Sequence, residues 1–133
     1  MKQRIFIIFV MTVLIAACTE REPIGKWDDI IKLSTKSLNF SSNGDSATIT
    51  TEGTWWWITD VAVDTAWFYN FDVNQESLTE YVIQDSCFYL ERKDAKNLFI
   101  RIDPNPTDLS RIIRIGLEAG DYFDGITITQ NGK

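Results

Sequence analysis

The sequence predicts an all-β fold, an antiparallel sandwich of about seven or eight short strands, and three observations carry that expectation. From residue 30 onward apolar residues recur with a period of two, so neighbouring side chains fall on opposite faces of a strand. Beyond the first 17 residues, no ten-residue segment keeps the 3.6-residue spacing of a helix. The apolar runs are short and are separated by clusters of Gly, Asn, Asp and Pro, the punctuation of a small sandwich.

The first segment is a targeting signal. Lys2 and Arg4 precede an uncharged apolar run over residues 5–17, shorter than the ~20 residues that a spanning helix needs. It ends in Ile15-Ala16-Ala17-Cys18, which resembles a bacterial lipobox. The resemblance implies cleavage before Cys18 and lipid on its thiol and new amino group. Two or three acyl chains anchor firmly where one binds only marginally, each buried methylene adding about 0.8 kcal/mol. Residues 18–32, broken by Pro23 and Gly25, then form the lipidated N-terminus and a tether that Trp27 ends by docking on the domain. Glu20 and Glu22 resemble the surface-export signal of Bacteroidetes lipoproteins, which implies an outer-membrane lipoprotein facing outward.

Leu38 and Phe40 alternate with Ser37, Asn39 and Ser41 as a first strand. Asn43-Gly44-Asp45 is a turn signal, and Ala47, Ile49 and Thr51 follow as a second strand, expected to pair with the first as a hairpin. Residues 52–54 turn into Trp55-Trp56-Trp57, a strand expected to run on through Val61 and Val63. Three consecutive tryptophans cannot share one face. Either face can be the core; Trp56 and Ile58 are assigned to it, which turns Trp55 and Trp57 outward. In the next strand Trp67, Tyr69, Phe71 and Val73 share one parity and Phe68 the other. Residues 74–79 are a polar loop. Residues 80–90 form an irregular strand, best buried over Cys87-Phe88-Tyr89-Leu90, and residues 92–97 a charged turn. Leu98, Ile100 and Ile102 make a clean strand that Pro104 and Pro106 end, because proline donates nothing to a ladder. Ile113, Ile115 and Leu117 point inward from the next strand with Arg114 outward; residues 118–121 turn into a last strand carrying Ile126 and Ile128.

Composition narrows the chemistry. There is no histidine, which removes Ser–His and Cys–His nucleophile pairs and histidine metal sites. Nineteen acidic against 13 basic residues give a net charge of −6, which argues against nucleic acid and polybasic lipid contact. With Cys18 lipidated, Cys87 has no disulfide partner and is expected as a buried, inert thiol. A glycosidase needs two carboxylates at about 5–5.5 Å or 6.5–9.5 Å; the pair Asp121 and Asp124 sits in or beside a turn, where solvated carboxylates are expected. Asp103, Asn105 and Asp108 offer hard oxygen donors without the spacing of a calcium loop, so a turn capped by its side chains is expected. The chain is expected to be non-enzymatic, with no metal and no cofactor. Glycan binding instead requires exposed aromatic faces that stack on sugar rings beside amides and carboxylates. Trp55, Trp57, Trp67 and Tyr69 are the candidate ligand-binding residues, with Asn70 and Asp72 adjacent, although aromatics at period two more often pack a core.

The order of these runs resembles the BACON domain of Bacteroidetes. Leu38-Asn39-Phe40, a glycine turn, Ala47-Thr48-Ile49-Thr50 and tryptophan match its first half. The second half matches through residues 97–102, Asn105-Pro106-Thr107, residues 111–115 opened by Arg111, and a last strand ending in Gln130. The match spans residues 33–130, with residues 33–133 as the domain. It implies an immunoglobulin-like sandwich, a place in a surface lipoprotein, and a role in binding carbohydrate or mucin, or in spacing other modules. The sequence departs from the family's common arrangement in showing no catalytic domain and in carrying an aromatic insert around residues 67–81. The expected partners are the membrane, through the lipid anchor, and a glycan. The alternative is a structural or assembly module that binds an envelope protein, for which an exposed apolar patch or strand edge is expected.

Overall fold

A computed structural model describes residues 28–133. The leader, Cys18 and Trp27, and with them the expected lipid anchor and most of the tether, lie outside the described residues. Period-two runs condense into nine strands: β1 (Ser37–Phe40), β2 (Asp45–Thr50), β3 (Trp57–Val63), β4 (Ala66–Phe68), β5 (Tyr81–Gln84), β6 (Phe88–Arg92), β7 (Asn97–Ile102), β8 (Arg111–Ala119) and β9 (Tyr122–Gln130). They form two sheets, ordered β1-β9-β8-β3-β4 and β2-β7-β6-β5. Ile58, Val61, Ile113, Ile115, Leu117, Ile126 and Ile128 from the first sheet meet Ile49, Ile83, Phe88, Leu90, Leu98, Ile100 and Ile102 from the second in one buried cluster. This is the expected all-β, immunoglobulin-like sandwich. Among the described residues no helix is long and apolar enough to cross a membrane.

The expected β1–β2 hairpin does not form. β1 pairs parallel with β9, and β2 pairs antiparallel with β7, so the turn between them carries the chain from one sheet to the other. Phe40 and Ile49 thereby face one core from opposite sides. Gly44 makes the crossing with φ at +83°, and a β-carbon there would lie 2.5 Å from the Ile102 carbonyl oxygen at the end of β7. Gly44→Ala is therefore expected to cost roughly 1–3 kcal/mol through backbone strain, read as a lower urea midpoint at unchanged slope.

Three further departures shape the side of the sandwich that matters here. The β3–β8 register shifts between Ile58 and Asp60, where Thr59 is the extra residue of a bulge. Inward parity therefore changes from Trp56 and Ile58 to Val61 and Val63 along one strand. The strand expected over residues 67–73 stops at Phe68, because Asn70 takes a left-handed φ of 58° and redirects the chain. Trp67 and Tyr69 stay outside, whereas Phe71 and Val73 pack against the core. The irregular strand of residues 80–90 divides into β5 and β6, with the Asp85 N–H bonded to the Phe88 carbonyl at 3.0 Å. That division brings the count to nine.

Side-chain amides close the ends of the sheets. Gln130 is buried; its Nε2 donates to the carbonyls of Ser41 at 3.1 Å and Asp103 at 3.0 Å, while its Oε1 accepts from Arg111 Nε at 2.7 Å. Buried Asn105 donates to the carbonyls of Leu109 and Asn131 and accepts from Thr107, so its oxygen is engaged within its own loop. Asp124 corrects another expectation. It is not a solvated turn residue: it shares the inward parity of Ile126 and pairs with Lys36 at 2.7 Å, holding the Lys36 ammonium pKa above its usual range. Cys87 is half-buried, and burial pushes its thiol pKa up, which keeps it in the unreactive form.

Candidate ligand-binding site

β4 and β5 are the last strands of their respective sheets and bound the same open side of the sandwich. Residues 69–80, which connect them, arch over that side. Beneath the arch Phe68 and Phe88 meet edge to face at 5.3 Å and close the core. Above this pair lies a cleft of about 480 Å³, walled by Trp67, Tyr69 and residues 70–73 on one side and by Val82, Gln84 and Asp85 on the other. Trp67 is 61% exposed and Tyr69 63%, so two aromatic rings stand at its mouth. Asn70, Asp72, Gln84 and Asp85 supply amide and carboxylate groups.

A second cavity of about 480 Å³ opens on the other flank of the same loop, against the outer face of the five-stranded sheet. Trp57, Thr59, Gln75, Glu76 and Glu118 line it, and Asn70 with Phe71 lines both cavities. Glu118 stands directly across from Trp57 in the β3–β8 ladder. Burial pushes the Glu118 carboxyl pKa up and the neighbouring Glu76 adds to this, while the Trp57 indole N–H pulls it down.

The four aromatic candidates thus separate into two groups. Trp67 and Tyr69 share the cleft. Trp55 is 63% exposed yet lines neither cavity; it lies over the turn glycine Gly120 and meets Trp57 edge-on at 5.5 Å. Trp57 faces outward as its register requires, but it is only 8% exposed and offers no open stacking face. Trp55 stands against it, and the loop that carries Phe71 and Gln75 shares its cavity. A single platform of Trp55, Trp57, Trp67 and Tyr69 is therefore not present.

A buried arginine fixes the loop. Arg92, read from the sequence as part of a charged turn, instead ends β6 with its side chain directed inward and is 2% exposed. Its guanidinium lies over the Trp56 ring at 4.1 Å and donates to the carbonyls of Leu78 at 2.9 Å, Thr54 at 2.9 Å and Ala95 at 3.4 Å. Leu78 belongs to the arch and Thr54 to the tryptophan segment, so one side chain ties the two together. Tyr81, at the start of β5, adds a second tie by accepting the Ile58 N–H at 3.0 Å. Gln75, Glu76, Gln84, Asp85 and Glu118 escaped the sequence reading because they are scattered polar residues until the arch folds back. The available signal was the run of aromatics at 67–71 followed by a polar stretch.

No family model matches the chain, and no curated protein matches it. Among solved structures, a protein from Bacteroides thetaiotaomicron determined by NMR superposes with a TM-score of 0.63 at 22% identity, covering 88% of this chain and 98% of its own. The likeness is one of fold. Two others are more distant: the CsuC–CsuE chaperone–tip adhesion subunit pre-assembly complex of Acinetobacter baumannii Csu pili, and WR4, a C. elegans MSP family member. The first has a TM-score of 0.40 at 10% identity, covering 77% of this chain and 57% of that one. The second has a TM-score of 0.36 at 14% identity, covering 80% of this chain and 100% of its own.

Proposed function

We propose that this protein is a non-enzymatic, BACON-type module of a bacterial outer membrane, lipid-anchored through Cys18, that binds glycan in the cleft between β4 and β5. The observation that carries the reading is the pair of exposed rings, Trp67 and Tyr69, at the mouth of a concave site lined by Asn70, Asp72, Gln84 and Asp85. Flat aromatic faces cover the apolar faces of sugar rings, and amides and carboxylates take the hydroxyls. The test is a titration of the detergent-solubilised chain with polysaccharides, read by tryptophan emission. A saturable change is expected with a bound glycan. Trp67→Ala and Tyr69→Ala are each expected to weaken binding about tenfold, equivalent to about 1.4 kcal/mol. Trp55→Ala, at a residue that lines neither cavity, is expected to leave binding in the β4–β5 cleft unchanged. Full affinity in the Trp67→Ala, Tyr69→Ala double variant would refute the site.

One observation favours a second reading, docking of an envelope protein. Among the described residues the backbone of β5 is laddered only to β6, and Val82 stands exposed on that open edge. Loss of a co-purifying envelope partner in a Val82→Lys variant, with that partner retained by the Trp67→Ala, Tyr69→Ala double variant, would favour it.

A further inference from the structure

We infer that the ligand of this site is a glycan chain free of carboxylate and sulfate groups, long enough to pass from the β4–β5 cleft across Asn70 and Phe71 into the cavity beside Trp57. This deepens the glycan reading and rests on it. Length follows from the shared wall. Asn70 and Phe71 border both cavities, so a chain seated between Trp67 and Tyr69 meets the second cavity by crossing one dipeptide. Both cavities offer the same kind of lining, aromatic surface with amide groups: Tyr69 and Gln84 in the first, Phe71 and Gln75 in the second.

Charge class follows from what else lines them. Asp72 and Asp85 face the cleft, and Glu76 and Glu118 face the second cavity; among the described residues no lysine or arginine lines either. An ionised carboxylate only accepts hydrogen bonds, as do a sugar carboxylate and a sulfate. These groups therefore bind hydroxyl donors well and find nothing to share with an anionic sugar, whose charge they repel most strongly at low ionic strength. Amides donate as well as accept, which completes the recognition of hydroxyls without a cation.

The test uses the detergent-solubilised full chain and four neutral polysaccharides, dextran, xylan, mannan and mixed-linkage β-glucan, each beside its sulfated and carboxymethylated derivatives. Whichever neutral chain binds is expected to bind at least about tenfold tighter than its derivatives at low ionic strength. Asp72→Asn with Asp85→Asn, and added salt, should narrow that gap, which separates repulsion from steric loss. In an oligosaccharide series of the bound type, affinity should rise with length and then level. Glu118→Gln and Gln75→Ala should weaken the longest member and leave the disaccharide unaffected. Equal binding of the anionic derivatives would overturn the charge class, and length-independent affinity would overturn the two-cavity path. Failure of all four polysaccharides and their derivatives to bind would overturn the glycan reading itself.

Discussion

Trp56→Ala is expected to remove roughly 3–5 kcal/mol of stability, the range for truncating a large buried aromatic. Against the 5–15 kcal/mol typical of a natural domain, about half of the total is at stake. Trp56 is 1% exposed, and its indole N–H is shared between Thr51 Oγ1 and the Ala95 carbonyl, each at 3.0 Å. The substitution leaves a cavity at the junction of the two sheets, two acceptors short of a donor, and the Arg92 guanidinium without its covering ring. Trp55→Ala, one residue away, is expected to change stability by about 0.5 kcal/mol or less, as surface substitutions do. Urea unfolding followed by far-UV circular dichroism measures both. Equal costs for the two would contradict the register that divides this tryptophan run.

Arg92→Ala is expected to cost about 2–4 kcal/mol. Hydrogen bonds to a charged group are worth about 1.5–3 kcal/mol each, offset by relief from burying the guanidinium, whose pKa burial lowers. Among the described residues no carboxylate neutralises it at bonding distance; its two terminal nitrogens donate to three carbonyls, while its buried Nε has no partner there. The planar fork reaches those acceptors together, so Arg92→Lys is expected to recover less than half of the loss. The loss should also be local. Amide exchange at residues 77–80 is expected to rise well before that of the β8–β9 hairpin, because Leu78 loses its tie. Combined with Trp56→Ala the effects should be less than additive, since the two side chains stack. Uniform protection loss across the domain would assign Arg92 to global stability alone.

Local pattern was sufficient wherever one strand face meets the core and the ladder is regular. Leu98, Ile100 and Ile102, then Ile113, Ile115 and Leu117, then Ile126 and Ile128 alternate in the sequence and are buried in the structure. It failed where a single residue resets the alternation. Thr59 does so through a bulge that its residue type does not announce, and Asn70 through a left-handed turn that Asn permits but that its place inside an aromatic alternation hides. Pairing was equally hidden: a glycine turn between two alternating runs reads as a hairpin, and only the far end of the chain shows that β1 belongs beside β9. Arg92 looked solvated because charge ordinarily is; its acceptors come from three separate segments. For the site, Trp67 and Tyr69 could be named as candidates, but their exposure could not be read, because Phe71 and Val73 share their parity and pack against the core. Nor could the burial of Trp57, because its cover is a loop whose path no periodicity describes.

The parallel pairing of β1 with β9 also bears on force. Ser37 to Phe40 run alongside Thr127 to Gln130 in the same direction, continued by bonds from Thr127 N–H to Lys36 and from Asn131 N–H to Phe40 at 2.9 and 3.0 Å. A pull between the front of β1 and the back of β9 acts along these strands, so the ladder is loaded in shear and its bonds must yield together rather than peel one by one. Resistance to such a pull is set by the rate of unfolding rather than by equilibrium stability. A domain held by a tether ahead of β1 would therefore keep its fold while the back of β9 is dragged.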